Sequence, residues 1–415
     1  MEKKIVRKRT LSNMLLDFLT VALIALIFVP QFKFIGAYNF LNLSVTVLWC
    51  IIAFSKHPRF FTGGSKYFQV SIVFFLIAIF IAFFADNKVL VNRYSSFVMV
   101  PLFYWMYQYN VMYRELKANS RILFLSLPFI LYTSIQTTLV LILNPFAARS
   151  IKTSTEGSED LISDGVGGYG LIYSVVILVI VLVPLLLEQK KFGLMTFRRI
   201  LLVSLGGSFL YLIILSNYFT ALIVTILGVL AIIALYRNKR IFIFLIPVAL
   251  LYFTLQKEIN LVVIDTISEF VQADGLTHRR LQEIKTELTT GTKTESVDSR
   301  SEVVGQSIEL LSEYPILGYA TTPVHRFDWN RVGQHSYILD TYALYGLFLG
   351  TYSAWIMWLP FRYRITAKQG SKLQVYAWTV GIAFMLLITM NNLTATMGFA
   401  SFFVFPTVFD YINKR

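Results

Sequence analysis

The sequence is dominated by apolar runs, each close to the length of a bilayer-spanning helix, that recur along the whole chain. A helix needs about 20 predominantly apolar residues to cross the hydrocarbon core of a membrane. Lipid offers no water to the backbone, so such a run satisfies its N–H and C=O groups only when it is helical. The sequence therefore predicts an all-α polytopic membrane protein.

We place about twelve transmembrane helices in the sequence, separated by mostly short polar segments and one long interval. The predicted spans cover residues 13–30, 34–54, 67–85, 91–109, 122–143, 168–187, 199–215, 219–236, 240–255, 337–359, 373–390 and 395–412. We expect three parts: 1–255 with spans 1–9, an extracytoplasmic helical loop over 256–336, and 337–415 with spans 10–12.

Basic residues are distributed unevenly among the loops. The chain carries 37 Lys and Arg against 23 Asp and Glu, which gives a net charge of +14. Most of the basic residues lie in alternate short segments, beginning with "MEKKIVRKRT", and the positive-inside rule assigns these segments to the cytoplasm. The charge therefore indicates orientation, with both termini cytoplasmic and the long interval on the outer face. A nucleic-acid partner is not expected.

The long interval contains a predicted helix with an arginine near its start. In "SRSEVVGQSIELLSEYP", Ser299 is the expected N-cap, Glu302 follows three residues later, and Pro315 lies beyond the end. Arg300 then falls in the first turn, where the helix dipole disfavours a cation. An anionic ligand would account for this position; a solvated arginine beside Asp298 and Glu302 is the alternative.

Further basic residues are expected near the outer surface. Arg279 and Arg280 belong to a predicted amphipathic helix, and Arg331 lies just before the tenth span. The planar arginine fork suits the oxygens of a phosphate or diphosphate. Lys88 and Arg93 stand beside the fourth span on the same face. Their side chains could instead extend toward the phosphates of ordinary lipids.

His335 stands at the head of the tenth predicted span, in "VGQHSYILDTYALYGLFLG". Histidine accepts a proton near neutral pH without a large pKa shift, so a general base is one interpretation and an interfacial histidine is the other. No neighbouring histidine or glutamate has the spacing of a zinc site. Asp340 lies five residues on, inside the apolar segment. It is expected to orient a polar group or to pair helices.

A glycine cluster precedes the sixth predicted span, in "SDGVGGYGLIYS". Glycines at a helix start expose backbone N–H groups, which favours anions. They equally permit close helix packing, which is their commoner role in membranes.

The order of these features resembles the bacterial O-antigen polymerase and O-antigen ligase superfamily, known as Wzy and WaaL. Arg300 is followed by Pro315 and Gly318, then by His335 and by Gly346 inside the span. The specific motifs occupy about fifty residues, from Arg300 to Gly350, and the spans and loops extend the resemblance over nearly the full chain. The "SDGVGGYGLIYS" segment is similar to the family's corresponding loop.

The resemblance implies a GT-C-like fold and a metal-independent, inverting glycosyl transfer from undecaprenyl diphosphate. Arg300 and Arg280 would hold the donor diphosphate, and His335 would be the candidate base. The implied partners are lipid-linked oligosaccharide donor and acceptor, membrane lipids and a chain-length regulator protein, in the inner membrane with the site on the periplasmic face. No cofactor is implied.

One departure distinguishes the two branches of the superfamily. The ligases usually carry a Ser/Thr-Arg motif where the seventh and eighth spans meet, and here Asn217, Tyr218 and Phe219 occupy that place. Lys88 or Arg93 could supply the missing charge. The span start "HSYILDTYALYG" also resembles polymerases more than ligases, so we favour the polymerase. A lipid-linked glycan transporter is the third alternative, although the sequence lacks the internal repeat that such folds show.

Overall fold

The computed structural model describes most of the chain. Its described residues are 11–85, 95–144, 147–151, 158–188, 196–216, 218–237, 295–323, 326–328, 331–333, 335–367 and 370–414, with isolated positions between 261 and 289. Within these ranges the regular structure is helical and no strand occurs. The prediction of an all-α protein is therefore confirmed for this part of the chain.

The longer helices are labelled α1 to α12 in chain order. They are α1 (Leu11–Phe28), α2 (Tyr38–Lys56), α3 (Lys66–Ala85), α4 (Val100–Tyr113), α5 (Leu116–Leu143), α6 (Tyr169–Leu187), α7 (Thr196–Leu215), α8 (Phe219–Arg237), α9 (Glu295–Glu313), α10 (Tyr337–Ile365), α11 (Ser371–Met390) and α12 (Ala395–Asn413). Short helical segments lie between some of them, including a 3-10 turn at Pro30–Phe34 and another at Tyr319–Thr321.

Six of the described helices are long and apolar enough to cross a membrane, namely α1, α2, α5, α6, α11 and α12. Shorter apolar helices lie within α3, α7 and α8. These helices support a membrane protein, as the sequence predicts. Each predicted span except the ninth overlaps a helix, and the ninth, at 240–255, lies outside the described residues. The full number of spans stays a prediction.

Two helices form the centre of the bundle. In α6, 72% of the apolar stretch is buried, and in α12 the share is 83%, against 22% for α2. α6 is apolar on all sides, which suits a helix surrounded by other helices. It packs against α7, α8, α11 and α12. The sequence "YGLIYSVVILVIVLV" is therefore central because no face of it is polar.

The peripheral helix α2 carries its apolar stripe outward. Its buried side chains recur at helical spacing and include small and polar residues: Asn42, Thr46, Trp49 and Ala53. The opposite stripe is exposed and apolar: Phe40, Leu43, Val47, Ile51 and Phe54. A water-soluble helix shows the reverse arrangement. An outward apolar stripe indicates that lipid is the surrounding solvent.

The helix of the long loop begins earlier than the sequence suggests. α9 starts at Glu295, so Ser299 lies inside the helix and is not its N-cap. The prediction that Arg300 occupies the first turn is therefore wrong, and the dipole argument for an anionic partner no longer applies. Residues 295–299, including the acidic Glu295 and Asp298, are already helical.

A buried carboxylate joins α1 to the junction of α4 and α5. Arg114 lies 2.6 Å from one oxygen of Asp17, and Arg121 lies 2.6 Å from the other. The Asp17 side chain is only 10% exposed, so it needs both partners to offset the cost of leaving water. Asn110 accepts a further 2.8 Å hydrogen bond from Arg114. This network holds the end of the bundle that lies away from the His335 region.

Candidate active site

The loop after α9 is joined to a break inside α10. Gly346 has φ 71° and ψ −178°, which interrupts the helix in its apolar segment. The interruption leaves the N–H of Leu347 without its helical acceptor, and this N–H donates to the carbonyl oxygen of Pro315 over 2.8 Å. The loop thus supplies the hydrogen bond that the broken helix lacks. An unsatisfied group inside a bundle would cost free energy.

Two glycines make this contact close enough to form. A Cβ on Gly318, whose φ is 77°, would lie 2.2 Å from the carbonyl oxygen of Leu344. A Cβ on Gly346 would lie 2.2 Å from the carbonyl oxygen of Ile316. Both positions need glycine for conformation and for space. Pro315, Gly318 and Gly346 therefore have a structural role, because they fix the loop against α10.

A second contact ties α9 to the head of α10. The Ser307 hydroxyl donates a 2.8 Å hydrogen bond to Oδ1 of Asp340, which is 1% exposed. Ser307 also accepts a 3.2 Å hydrogen bond from the backbone N–H of Gly333. Asp340 is thus engaged in helix pairing and orientation, in agreement with the role expected for an acid in this segment. A buried carboxylate with a defined donor holds the two helices in register.

His335 lies in the bend before α10, and its side chain is exposed. The next residue, Ser336, caps α10 by accepting a 3.1 Å hydrogen bond from the N–H of Leu339. The N–H of Tyr337 donates over 3.1 Å to the carbonyl oxygen of Asn391, which follows α11. The backbone on the C-terminal side of His335 is therefore fixed to two helices. A reactive side chain in this place would have a defined position and access to water.

Arg331 is paired with a carboxylate of the same loop. Its guanidinium donates to both oxygens of Glu313, over 2.9 and 3.0 Å, and lies 5.5 Å from the centre of the Tyr319 ring. The Glu313 carboxylate raises the pKa of Arg331 above its ordinary value. Both side chains are well exposed, so the pair contributes little stability. Pairing with Glu313 is therefore an alternative role for Arg331 to the predicted contact with substrate.

Tyr319 contacts several residues in the rest of the loop. Its ring stacks on Phe327 with centroids 4.8 Å apart. Its hydroxyl donates to the carbonyl oxygen of Arg326 over 3.1 Å and accepts from the N–H of Asp328 over 2.8 Å. This buried tyrosine therefore sets the path of the chain between α9 and His335.

Most of the predicted diphosphate-binding residues lie in other parts of the chain than the loop between α9 and His335. Arg279, Arg280, Lys88 and Arg93 lie outside the described residues. Arg300 belongs to α9 by its backbone. Their predicted roles in diphosphate binding stay predictions.

The place of the ligase motif is described only in part. Asn217 lies outside the described residues, and Phe219 begins α8. The Tyr218 hydroxyl donates over 3.1 Å to the carbonyl oxygen of Ala148, in the short helical segment after α5. Tyr218 thus joins α8 to that segment.

The glycine cluster before α6 lines a cavity of about 370 Å³. The cavity lies at the bundle end where α1 ends and α6 and α12 begin. Its polar and small lining residues are Lys33, Tyr38, Gly167, Gly168, Gly170, Thr394 and Thr396. Its apolar lining includes Ile27, Phe28 and Leu171. The sequence left two interpretations of these glycines, an anion site or a site of close helix packing. In the structure they line this cavity.

The starts of α6 and α12 meet at this cavity. The Thr396 hydroxyl donates over 2.8 Å to the carbonyl oxygen of Gly170. Thr394 caps α12 by accepting a 3.3 Å hydrogen bond from the N–H of Met397. Since a helix start carries partial positive charge, the two ends add their fields on the same side. Asn391 connects this region to His335, because its backbone binds Tyr337 and its side chain accepts a 2.8 Å hydrogen bond from Tyr173.

Lys33 is the cation that sequence reasoning missed. It belongs to the 3-10 turn between α1 and α2, and the surrounding protein lowers its pKa although part of the side chain remains exposed. Within the described chain no ion pair neutralises it. The available signal was a lone lysine in "PQFKFIGAYN", a short connection between two apolar runs.

Among the residues that the structure places, no group of three or more His, Cys, Asp or Glu side chains could hold a metal ion. Comparison with known proteins does not assign the site either. No protein-family model matches the chain, and no curated protein matches its sequence. The candidate site therefore rests on the geometry that joins α9, the Pro315 turn, His335 and α10.

Proposed function

We propose that the protein is a glycosyltransferase that polymerises undecaprenyl-diphosphate-linked oligosaccharide repeats, of O-antigen or of capsular or exopolysaccharide, at the outer face of the bacterial cytoplasmic membrane. One observation carries the proposal. The exposed His335 lies where the long loop re-enters the helix bundle, at the head of α10, and the motif residues Pro315, Gly318 and Gly346 fix the same loop to that helix further along.

The proposed reaction is a single displacement with inversion. His335, as the neutral imidazole, accepts the proton of the acceptor hydroxyl while that oxygen forms a bond to the anomeric carbon of the donor. The bond from this carbon to the diphosphate oxygen breaks, and the diphosphate leaves with the electron pair. A positioned base contributes about 100- to 10,000-fold to such a step.

The negative charge on the leaving diphosphate needs fixed cations. Arg300 and Arg280 are the proposed donors, because arginine binds phosphate oxygens in pairs. Lys88, Arg93 and Arg279 are further candidates for the same charge. Arg331 can join them only by leaving Glu313. With cations in these places the reaction requires no metal.

The proposed architecture is a GT-C-like bundle of about twelve spans with both termini in the cytoplasm. The clustering of basic residues in alternate short loops supports this orientation. The polymer would then be assembled on the outer face, with a chain-length regulator as partner. A ligase would use the same face and the same donor, so activity has to distinguish the two.

The test is complementation of a strain whose surface polysaccharide depends on this protein. We expect His335→Ala to lose the long chains by about a hundredfold or more while single repeats are still attached, when glycans are resolved on a gel. His57→Phe is the matched control, since His57 stacks on Tyr113 at 4.3 Å, far along the chain from the loop, and phenylalanine preserves the stack.

The outcomes separate the alternatives. Loss of every attached glycan in His335→Ala would indicate a ligase. Unchanged long chains would overturn the catalytic role of His335. A transporter predicts that lipid-linked repeats accumulate on the inner leaflet in the variant, whereas a polymerase predicts their accumulation on the outer leaflet.

A further inference from the structure

We infer that the cavity at the starts of α6 and α12 binds the phosphate-bearing headgroup of a membrane lipid, with Lys33 as its cation. The inference concerns a surface distinct from the His335 loop. It holds whether or not His335 and Arg300 are catalytic.

The size and lining of the cavity suit a small anionic group. Its volume is about 370 Å³, within the range of pockets that hold small ligands. Its lining includes the apolar side chains of Ile27, Phe28 and Leu171 together with Lys33, glycines and two threonines. A lipid headgroup has this same division between a charged phosphate and an apolar glycerol or alkyl neighbour.

The charge of the lining is positive. Lys33 is the charged side chain among the described residues that line the cavity. Glu159 and Asp160 lie on the short segment Ser158–Ser163, which packs against the turn that holds Lys33, but neither lines the cavity. In the part of the chain that the structure places, no carboxylate forms an ion pair with Lys33. A lysine that lines a cavity without an ion-pair partner attracts an anion to that place.

The backbone around the cavity adds to this field. The Thr396 contact with Gly170 brings the N-terminal ends of two helices of 19 residues to one wall. Gly168 leaves room for a close approach to the backbone, because a Cβ there would meet nothing nearer than 3.5 Å. These features strengthen a site that the cavity and Lys33 already define.

The source of the phosphate is argued from the residues that follow Lys33. Phe34 is 49% exposed and Ile35 is 42% exposed, directly after the lysine in the chain. Exposed apolar side chains beside a cation are typical of a membrane interface, where the apolar groups enter lipid and the cation meets headgroups. We therefore assign the phosphate to a lipid headgroup at this interface.

The first test measures lipid binding to the full-length protein in detergent by native mass spectrometry. Phosphatidylglycerol is the probe, and diacylglycerol, which lacks the phosphate, is the comparison lipid. We expect Lys33→Gln to weaken phosphatidylglycerol binding about tenfold, Lys33→Arg to retain it, and diacylglycerol to bind all forms equally weakly. Lys66→Gln is the matched control, because Lys66 is an exposed lysine at the start of α3.

The second test needs no variant and therefore covers the case in which Lys33→Gln does not fold. Amine-reactive labelling of the wild-type protein is followed at Lys33 and at Lys66, with and without phosphatidylglycerol. Protection of Lys33 alone by the lipid supports the inference. Equal labelling with and without lipid would overturn it, as would unchanged lipid affinity in Lys33→Gln. Protection by millimolar inorganic phosphate as strong as that by the lipid would overturn the lipid assignment and indicate a soluble anion.

Discussion

The backbone N–H of Leu347 donates a 2.8 Å hydrogen bond to the carbonyl oxygen of Pro315, although Leu347 lies inside α10 and Pro315 lies in the loop before it. The bond exists because Gly346 breaks α10 at that point. A turn of the long loop therefore completes the backbone hydrogen bonding of the helix bundle. This relationship explains why proline and glycine recur in the motif at positions with no evident chemistry.

Replacing Gly346 should destabilise the protein strongly. Gly346→Ala would force φ 71° on a residue with a side chain and bring its Cβ to 2.2 Å from the carbonyl oxygen of Ile316. We expect a loss of about 2 kcal/mol or more in stability, seen as a lower Tm in detergent. Gly207→Ala is the control, because a Cβ there meets nothing within 4 Å. Equal melting temperatures for the two variants would contradict the interlock.

The contact between Ser307 and Asp340 should be required for placing the loop. Ser307→Ala removes the 2.8 Å hydrogen bond to a carboxylate that is 1% exposed, so we expect a loss of about 1–3 kcal/mol in stability. Thermal unfolding measures it, with Ser312→Ala as control because Ser312 is exposed on the same helix. The idea fails if Ser312→Ala lowers Tm as much as Ser307→Ala does.

Comparing Arg331→Ala with Glu313→Ala distinguishes a structural role of this ion pair from a role of Arg331 in substrate binding. If the pair is structural, Arg331→Ala and Glu313→Ala should shorten the glycan to the same small extent. A double-mutant cycle on stability should then give a coupling of less than about 1 kcal/mol, since both side chains are exposed. A much larger loss of polymer for Arg331→Ala than for Glu313→Ala would instead assign Arg331 to the substrate.

Arg300→Lys tests whether a planar fork is needed on α9. A lysine keeps the charge but cannot bind two phosphate oxygens in parallel, so we expect shorter glycan chains and an unchanged Tm. Arg362→Lys, at an exposed position near the other end of α10, is the matched control. Full-length glycan in Arg300→Lys would exclude bidentate binding by this residue.

Orientation can be tested by thiol labelling. In a Cys50→Ser background, which removes the single cysteine, Glu309→Cys on α9 and Thr366→Cys after α10 each supply one exposed thiol. The positive-inside pattern predicts that a membrane-impermeant reagent labels Glu309→Cys in intact spheroplasts. Thr366→Cys should react only after permeabilisation. The opposite result would place the loop in the cytoplasm and exclude an outer-face glycosyltransferase.

The positions of most helices follow from the sequence because membrane helices are encoded by continuous apolar runs. α6, for example, begins within one residue of its predicted start and ends where predicted. The start of α9 does not follow, because residues 295–299 are helical although the capping pattern predicts the N-cap at Ser299. Local patterns of similar strength cannot be ranked without the contacts that surround them.

The candidate site was predictable in part. His335 and Asp340 were identified from the sequence because titratable side chains are unusual at the head of, or within, an apolar segment. The structure places Asp340 against Ser307. The partner of Asp340 and the cavity around Lys33 were not predictable, because each depends on segments far apart in the chain. Lys33, Gly170 and Thr396, for example, come together only through the packing of α1, α6 and α12.

The ion network of Asp17 also has a consequence for the order in which the chain is made. α1 is synthesised early, but the residues that neutralise its carboxylate, Arg114 and Arg121, follow 97 and 104 residues later. Until α5 has been translated, α1 carries a carboxylate without these partners. The packing of α1 against the bundle is therefore coupled to the insertion of α5. In nascent chains that end before Arg114, α1 should be less firmly bound to its neighbouring helices.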